Sequence, residues 1–146
     1  MAEVNWTRYE TLAAAIAAVP TTGVKTTVTL LSDVSTSASI SIASTQNVEL
    51  DMDNFTITGS TIVFENEGTL HINDGTIIST STNTTNERAI MNKTGGVINI
   101  SGGYLKGTGT NVMENKGTVN ITGGRLECNA SAAVINNETG DRKSVG

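Results

Sequence analysis

The sequence predicts an all-β fold: a single-stranded, right-handed parallel β-helix of about five coils with an α-helical cap at its N-terminus. Three observations lead to this prediction. Of the 146 residues 37% are hydrophobic but only 3% are aromatic, which suits a narrow core of Val, Ile and Leu better than a wide globular centre. Short segments alternate between apolar and polar residues with the period of a strand. These segments also recur at intervals in the low twenties, which is typical of a solenoid.

The segment from Thr7 to Val19 is predicted to form the cap helix. Thr7 and Glu10 have the spacing of a capping box, the alanine-rich run that follows favours helix, and Pro20 disfavours helical backbone at Val19. A short amphipathic helix and the first coil of a solenoid both expose apolar surface. We therefore expect the helix to cover the first coil, with Trp6 packed at the junction.

The clearest repeat contains an asparagine in each coil. Asn66, Asn92, Asn115 and Asn136 follow one another at steps of 21 to 26 residues. An apolar residue stands two positions before each of them, so the asparagines share the inward side of their strands. A buried amide needs a hydrogen-bond partner, and stacked strands lie about 4.8 Å apart. We expect an internal ladder through these four side chains.

The repeat pattern defines one structural domain in three parts. The capping helix is expected in residues 1–22 and the parallel β-helix in residues 23–140. Residues 141–146 carry a charged run without an inward apolar residue, and we expect an irregular tail there that is non-native or truncated. Such an ending leaves the last coil uncapped, and an open strand edge favours end-to-end self-association.

Composition argues against several classes of partner. The net charge is −5 without a basic run, so nucleic acid is not an expected partner. No apolar stretch reaches the length of a membrane span, and the first residues do not have the pattern of a signal peptide. Cys128 has no second cysteine for a disulfide or a metal site, and is expected to be a small side chain on a strand.

The order of these segments resembles that of a known family. The run Leu-Ala-Ala-Ala-Ile-Ala-Ala-Val-Pro (residues 12–20) leads into strand-like segments at 27–34 and 48–57, and then into Asn-x-Gly and Ile-x-Gly-Gly coils. Together they resemble the pectate-lyase-like β-helix modules of large bacterial surface proteins, often called adhesive domains. The resemblance extends to Gly140. It implies a fold more than an activity, because that superfamily includes polysaccharide lyases, glycoside hydrolases, phage tailspikes and members without known activity.

Two surface features are candidate ligand sites. Tyr104 and Arg125 occupy equivalent positions in successive coils, and an exposed aromatic ring beside an arginine suits stacking on a sugar. The segment from Thr80 to Arg88, which includes Asn83, is longer than its counterpart in the next coil, and insertions in solenoids often lie on the binding face. The alternative is that these are ordinary surface residues.

Alternating acidic residues suggest a metal site. Glu49, Asp51 and Asp53 would line one outer face, and carboxylates in this arrangement can bind Ca²⁺. The resemblance to pectate lyases adds to this expectation for Asp51 and Asp53, because those enzymes hold Ca²⁺ with aspartates and use an arginine as base. No arginine stands at a comparable position on an adjacent repeat. The alternative is a solvated acidic face without a cofactor.

The sequence shows no obvious catalytic set. Glycoside hydrolysis needs two carboxylates across the sugar bond, but the candidate carboxylates are scattered, and His71 has no evident partner to orient it. We therefore expect a non-catalytic structural or adhesive module of a bacterial surface or secreted protein, located outside the cell and binding a carbohydrate or host surface. The alternatives are a polysaccharide lyase or glycoside hydrolase, and a self-assembling β-solenoid.

Overall fold

The computed structural model describes residues 1–81, 88–108, 111–128 and 134–137, together with the backbone of 141–144. This part of the chain contains one helix, α1 (Leu12–Ala17), and eighteen strands. The strands are β1 (Ala2–Val4), β2 (Thr7–Tyr9), β3 (Lys25–Leu30), β4 (Val34–Thr36), β5 (Ile40–Ile42), β6 (Asn47–Asp51), β7 (Thr56–Gly59), β8 (Phe64–Asn66), β9 (Thr69–Ile72), β10 (Thr76–Ser79), β11 (Ile90–Asn92), β12 (Val97–Ile100), β13 (Tyr104–Gly107), β14 (Met113–Asn115), β15 (Thr118–Ile121), β16 (Arg125–Cys128), β17 (Ile135–Asn137) and β18 (Asp141–Ser144).

The strands form a parallel β-solenoid of about five coils, each coil giving one strand to each of three sheets. The first sheet has the order β18-β15-β12-β9-β6-β3-β1-β2, the second β16-β13-β10-β7-β4, and the third β17-β14-β11-β8-β5. Strand β18 pairs in parallel with β15. The first sheet therefore continues through residues 141–144, where the sequence suggested an irregular tail.

The core consists of columns of equivalent residues from successive coils. In the second sheet Ile57, Ile77 and Leu105 pair in register, and all three are fully buried. Leu70 and Ile98 do the same in the first sheet. Burying a side chain of this size contributes about 1.5–3 kcal/mol. Because each column is one side chain wide, strands of three to six residues are enough to enclose it.

A ladder of asparagine amides runs inside the third sheet. Asn66 Nδ2 donates to Asn92 Oδ1 over 3.0 Å, and Asn92 Nδ2 donates to Asn115 Oδ1 over 2.9 Å. All three side chains are fully buried. Asn115 Nδ2 then donates to Asn137 Oδ1 over 2.8 Å. Each amide thus finds its partner one coil away, at the spacing that the strands impose.

The last member of the ladder is Asn137, and the sequence-based choice of Asn136 is wrong by one residue. The strand register pairs Asn115 with Asn137, and pairs Asn136 with the outward-column residue Glu114. Ile135 takes the inward position opposite Met113. The sequence alone does not distinguish the two registers, because an apolar residue stands two positions before Asn136 and another stands two positions before Asn137.

The corner after the ladder leaves no space for a side chain. A Cβ on Gly117 would lie 2.2 Å from the carbonyl oxygen of Gly96 in the preceding coil, and a Cβ on Gly68 would lie 2.2 Å from that of Ala43. Such distances require glycine. The ladder also binds this corner, since Asn92 Nδ2 donates to the Gly96 carbonyl over 3.1 Å.

A hairpin and the helix lie at the N-terminal end of the solenoid. Strand β1 pairs antiparallel with both β2 and β3, and so adds two strands to the first sheet. Helix α1 contacts β5, β3 and the hairpin, and buries Leu12 and Ile16. Gln46, in the corner after β5, donates through Nε2 to the carbonyl oxygens of Ile16 and Val19 over 2.8 and 3.0 Å. These two bonds fasten the end of the helix to the first coil.

The helix is shorter than the sequence predicts, because the hairpin uses residues assigned to its first turn. Thr7–Tyr9 form β2. The N-cap is Thr11, whose Oγ1 accepts a hydrogen bond from the Ala14 N–H over 3.1 Å. The capping box assigned to Thr7 and Glu10 is therefore wrong: strand pairing outweighs the local helical signal.

Trp6 does not pack at the junction, and that expectation is also wrong. Its side chain is 92% exposed. Asn5 and Trp6 form the tip of the β1–β2 hairpin with φ values of +48° and +67°. A two-residue hairpin loop of type I′ needs positive φ at both positions, so the hairpin lifts Trp6 away from the core.

Candidate functional site

The outer face of the second sheet brings together the two residues that the repeat predicts as a ligand site. The strand register places Tyr104 of β13 directly beside Arg125 of β16. It places Lys106 beside Glu127 on the same two strands. These four side chains therefore form one patch, two strands wide, that contains a phenol, two cations and a carboxylate.

Tyr104, Arg125 and Glu127 form a connected group, here called the Tyr104 cluster. The Tyr104 hydroxyl donates to Glu127 Oε2. The Arg125 guanidinium carbon lies 5.4 Å from the centre of the Tyr104 ring, which is within the range of a cation–π contact. Arg125 Nη2 lies 3.4 Å from Glu127 Oε2. Glu127 was not predicted as part of this site. The strand register could have identified it, because it stands two residues after Arg125 on the same face.

The hydrogen bond within the Tyr104 cluster separates the pKa values of its two partners. The bond to Glu127 raises the pKa of Tyr104, and the same bond, aided by the charge of Arg125, lowers the pKa of Glu127. At neutral pH the phenol is therefore a neutral donor and the carboxylate is charged. The Arg125 side chain is 75% exposed. The cluster can present a guanidinium and part of an aromatic ring to a polar ligand.

The other predicted ligand residues do not join the Tyr104 cluster. Thr80 is exposed, and its N–H and Oγ1 both bond to the Gly59 carbonyl oxygen, at 2.8 and 3.2 Å. Asn83 lies outside the described residues. Arg88 is only 5% exposed and forms an ion pair with the buried carboxylate of Glu114. Its guanidinium contacts Glu114 of the third sheet and does not face solvent.

Asp51 and Asp53 are both exposed. The backbone N–H groups of the turn beside them bond to a different carboxylate, that of Asp74. Asp53 has a positive φ of +47°. The Met52 and Asp53 N–H groups each donate to the Asp74 carboxylate over 3.0 Å. Among the residues placed in the structure, no three His, Cys, Asp or Glu side chains come together in a way that could hold a metal ion.

The first sheet carries a hydrogen-bonded row of side chains on its outer face. Asn120 Nδ2 donates to Asn99 Oδ1 over 2.9 Å, and Asn99 Nδ2 lies 3.4 Å from His71 Nδ1. His71 Nε2 in turn lies 2.9 Å from Asn47 Oδ1. Because an amide oxygen only accepts and an amide nitrogen only donates, the row assigns the proton of the neutral imidazole to Nε2. We call these four residues the His71 row.

The surroundings of the His71 row favour a neutral histidine. Partial burial, with a further contribution from the positive charge of Lys25, lowers the pKa of His71, while Glu49 acts in the opposite direction. Lys25 Nζ is 2.8 Å from Glu49 Oε2, and its hydrogen bond lowers the pKa of Glu49. His71 therefore has the partners that the sequence did not show, but they are amides and a neighbouring ion pair.

Comparison with known proteins gives no family for the chain: no protein-family model, curated protein or solved structure matches it. Within the described ranges, no helix combines the length and the apolar character needed to cross a membrane.

Proposed function

We propose that the chain is a non-catalytic module with a structural or adhesive role in a bacterial surface or secreted protein. One observation carries this proposal: carboxylates that could act as acids or bases instead hold neighbouring coils together. Glu49 contacts Lys25 one coil away, Glu114 contacts Arg88, and Glu127 contacts Tyr104.

Further parts of the proposal rest on the sequence pattern. We place the winding of the solenoid as right-handed, by the preference of parallel crossovers, and its ancestry among the pectate-lyase-like modules that the repeats resemble. The helix α1 serves as a cap, since its buried face and the bonds from Gln46 tie it to the first coil. We propose an extracellular location and carbohydrate binding at the Tyr104 cluster, where an exposed guanidinium adjoins an aromatic ring.

The test of the non-catalytic role is a turnover assay. The purified chain is incubated with pectin, alginate and glycosaminoglycans while unsaturated products and new reducing ends are measured. We expect neither to increase above the buffer control. Turnover that disappears in a Glu127→Gln or Glu49→Gln variant would overturn the proposal in favour of a lyase or hydrolase.

The test of the proposed adhesive surface is a glycan array. We expect the folded chain to bind a subset of glycans, and the Arg125→Ala and Tyr104→Ala variants to bind them at least about tenfold more weakly, the equivalent of 1.4 kcal/mol. A Lys116→Ala variant is the matched control, because it removes a cation that directly follows β14 of the third sheet and lies outside the Tyr104 cluster. Unchanged binding in both cluster variants would remove the Tyr104 cluster as the site.

A second candidate role, self-association, is favoured by the last coil. Ile121 and Leu126 are only partly buried, whereas their counterparts Ile100 and Leu105 in the coil before are almost completely buried. Another copy could cover these side chains. Sedimentation equilibrium measures this directly. A strict monomer up to high concentration would exclude the role.

A further inference from the structure

The most exposed of the large apolar side chains in the described residues is Trp6, at 92%. It is held in a backbone conformation that suits it poorly. Asparagine tolerates the left-handed region, but a bulky residue with a φ of +67° is uncommon. Glycine is usual at this position of a type I′ loop. Exposure to water and an unfavourable φ both act against tryptophan here, and neither the core nor the strand pairing needs its ring.

An open groove runs beside this ring, with a volume of about 440 Å³. It is lined by Glu3 and Trp6 of the hairpin and by Thr27 and Thr29 of β3, and Glu3 and Thr29 are paired neighbours in the first sheet. Val24, which is 63% exposed, lies at the same groove and is a second apolar contact. The groove therefore has an aromatic ring and an isolated aliphatic group among hydroxyl and charged side chains.

The charged side chains of the groove are held in place by neighbours outside it. Glu3 Oε2 lies 3.7 Å from Arg8 Nε on the other arm of the hairpin. Lys25, which also lines the groove, contacts Glu49 on the next coil over 2.8 Å. These contacts leave part of each group's hydrogen-bonding capacity unused, because a carboxylate has about four acceptor positions and an ammonium has three donors.

A pyranose ring matches this combination of groups. It has a face of C–H groups that packs against an aromatic ring, and a rim of hydroxyls that needs donors and acceptors at its sides. A lipid or an apolar protein surface would instead exclude water from Glu3, Lys25 and the threonine hydroxyls without supplying hydrogen bonds to their remaining positions, which is costly. We propose that the groove between the β1–β2 hairpin and β3 is a saccharide-binding site in which Trp6 is the stacking platform. This inference rests on the proposed adhesive role and adds a site separate from the Tyr104 cluster.

Intrinsic fluorescence tests the site directly, because Trp6 is the only tryptophan of the chain. The probes are the hexasaccharides of cellulose, chitin and mannan, and alginate and chondroitin oligosaccharides. We expect at least one to cause a saturable blue shift and to protect the ring from acrylamide quenching. If none changes the emission or the quenching, the inference is wrong. A blue shift that appears with protein concentration alone would also overturn it, because the occupant would then be a second copy.

A set of variants separates this inference from the proposed function. Trp6→Gly removes the ring and also the unfavourable φ, so we expect its melting temperature to equal or exceed that of the wild type while binding of the active probe falls at least tenfold. Trp6→Phe should retain part of the affinity, and Arg125→Ala should leave binding at this groove unchanged. Wild-type binding by a folded Trp6→Gly variant would overturn the saccharide site, yet leave the non-catalytic role to be judged by the turnover assay.

Discussion

A buried asparagine brings a polar group into the core, and the ladder shows what makes this tolerable. Asn92 Nδ2 has acceptors in the next coil and at its own corner: Asn115 Oδ1, the Gly96 carbonyl and the Thr118 carbonyl. The first rung is less complete, since Asn66 Oδ1 has no hydrogen-bond partner in the described structure. The residue paired with Asn66 in the coil before is Ile42, which has no donor in its side chain.

Truncation of a central rung is expected to be costly. Asn92→Ala removes four hydrogen bonds, the one accepted from Asn66 Nδ2 and the three donated by Asn92 Nδ2, so we expect the free energy of unfolding to fall by about 3 kcal/mol. Asn99→Ala is the matched control: it lies in the same coil but on the outer face, and should cost below about 1 kcal/mol. Urea denaturation followed by circular dichroism measures both. Equal losses in the two variants would contradict an energetic role for the inner ladder.

The His71 row predicts a change of stability with pH. The pKa of His71 in the folded chain lies below its ordinary value of 6.5, so the unfolded chain takes up the proton more readily. The stabilising contribution is therefore fully present above pH 6.5, and it is lost as the pH falls through 6.5 towards the lower folded pKa. Protonation at Nδ1 would also oppose the amide group that Asn99 directs at it.

The His71→Asn variant isolates this contribution. We expect its free energy of unfolding to change less than that of the wild type between pH 8 and about pH 5.5, a window that stays above the ordinary carboxylate range. Glu49 affects the comparison little there, because its own pKa is lowered. Parallel stability curves for the two proteins across this window would show that the row does not sense pH.

At the residue scale, the sequence identified inward asparagines because apolar residues two positions away mark the inward side. It placed three of the four rungs, and missed the fourth because adjacent asparagines, Asn136 and Asn137, each follow an apolar residue by two positions. Trp6 could not be placed in this way. Its position depends on a β-hairpin whose loop, Asn5-Trp6, lacks the glycine that usually signals a two-residue turn.

At the scale of elements, strand pairing overrides the local helix preference of part of the N-terminal segment. The alanine-rich run is helical as its composition predicts, but Thr7–Tyr9 pair with β1, which itself pairs with β3. The helix therefore starts only at Leu12, after its N-cap Thr11. The pairing of β1 with β3 joins residues more than twenty positions apart, and a local sequence window does not contain that information.

The N-cap assignment gives a prediction for two threonines. Thr11→Ala removes the side-chain acceptor of the Ala14 N–H, and should lower the free energy of unfolding by about 1 kcal/mol. Thr7→Ala changes an exposed strand position and should cost below about 0.5 kcal/mol. Thermal unfolding of both variants makes the comparison. A larger loss for Thr7→Ala would return the cap to the position that the sequence alone suggested.

At the scale of the whole molecule, the number of coils and the three-sheet arrangement follow from the repeat. A period in the low twenties leaves space for three short strands and three corners, and the structure has these. The sites are harder to predict. The Tyr104–Arg125 pair was accessible from sequence because both residues lie in clear repeats. The groove at Trp6 was not, because it forms between a hairpin outside the repeat and the least regular coil.

The stacked arrangement predicts a gradient of protection along the molecule. Strands β9 and β12 have parallel neighbours on both sides, whereas β16 and β17 have a neighbour on one side only within the described chain. Stability in a solenoid is approximately a sum of coil and interface contributions. We therefore expect native-state hydrogen exchange to be slowest in β9 and β12 and at least about tenfold faster in β16 and β17. Uniform protection from β6 to β17 would instead indicate a single cooperative unit.

The connection from the second sheet to the third differs in length from coil to coil while the strands keep their register. Residues 60–63 join β7 to β8, whereas residues 80–89 join β10 to β11. The longer segment is fixed at both ends: the Ser81 carbonyl accepts from Thr108 Oγ1 over 2.8 Å, and the Ala89 carbonyl accepts from the Val63 N–H over 3.0 Å. This corner is therefore a suitable position for inserting foreign peptides or new recognition loops. The strands on either side of it would not need to be redesigned.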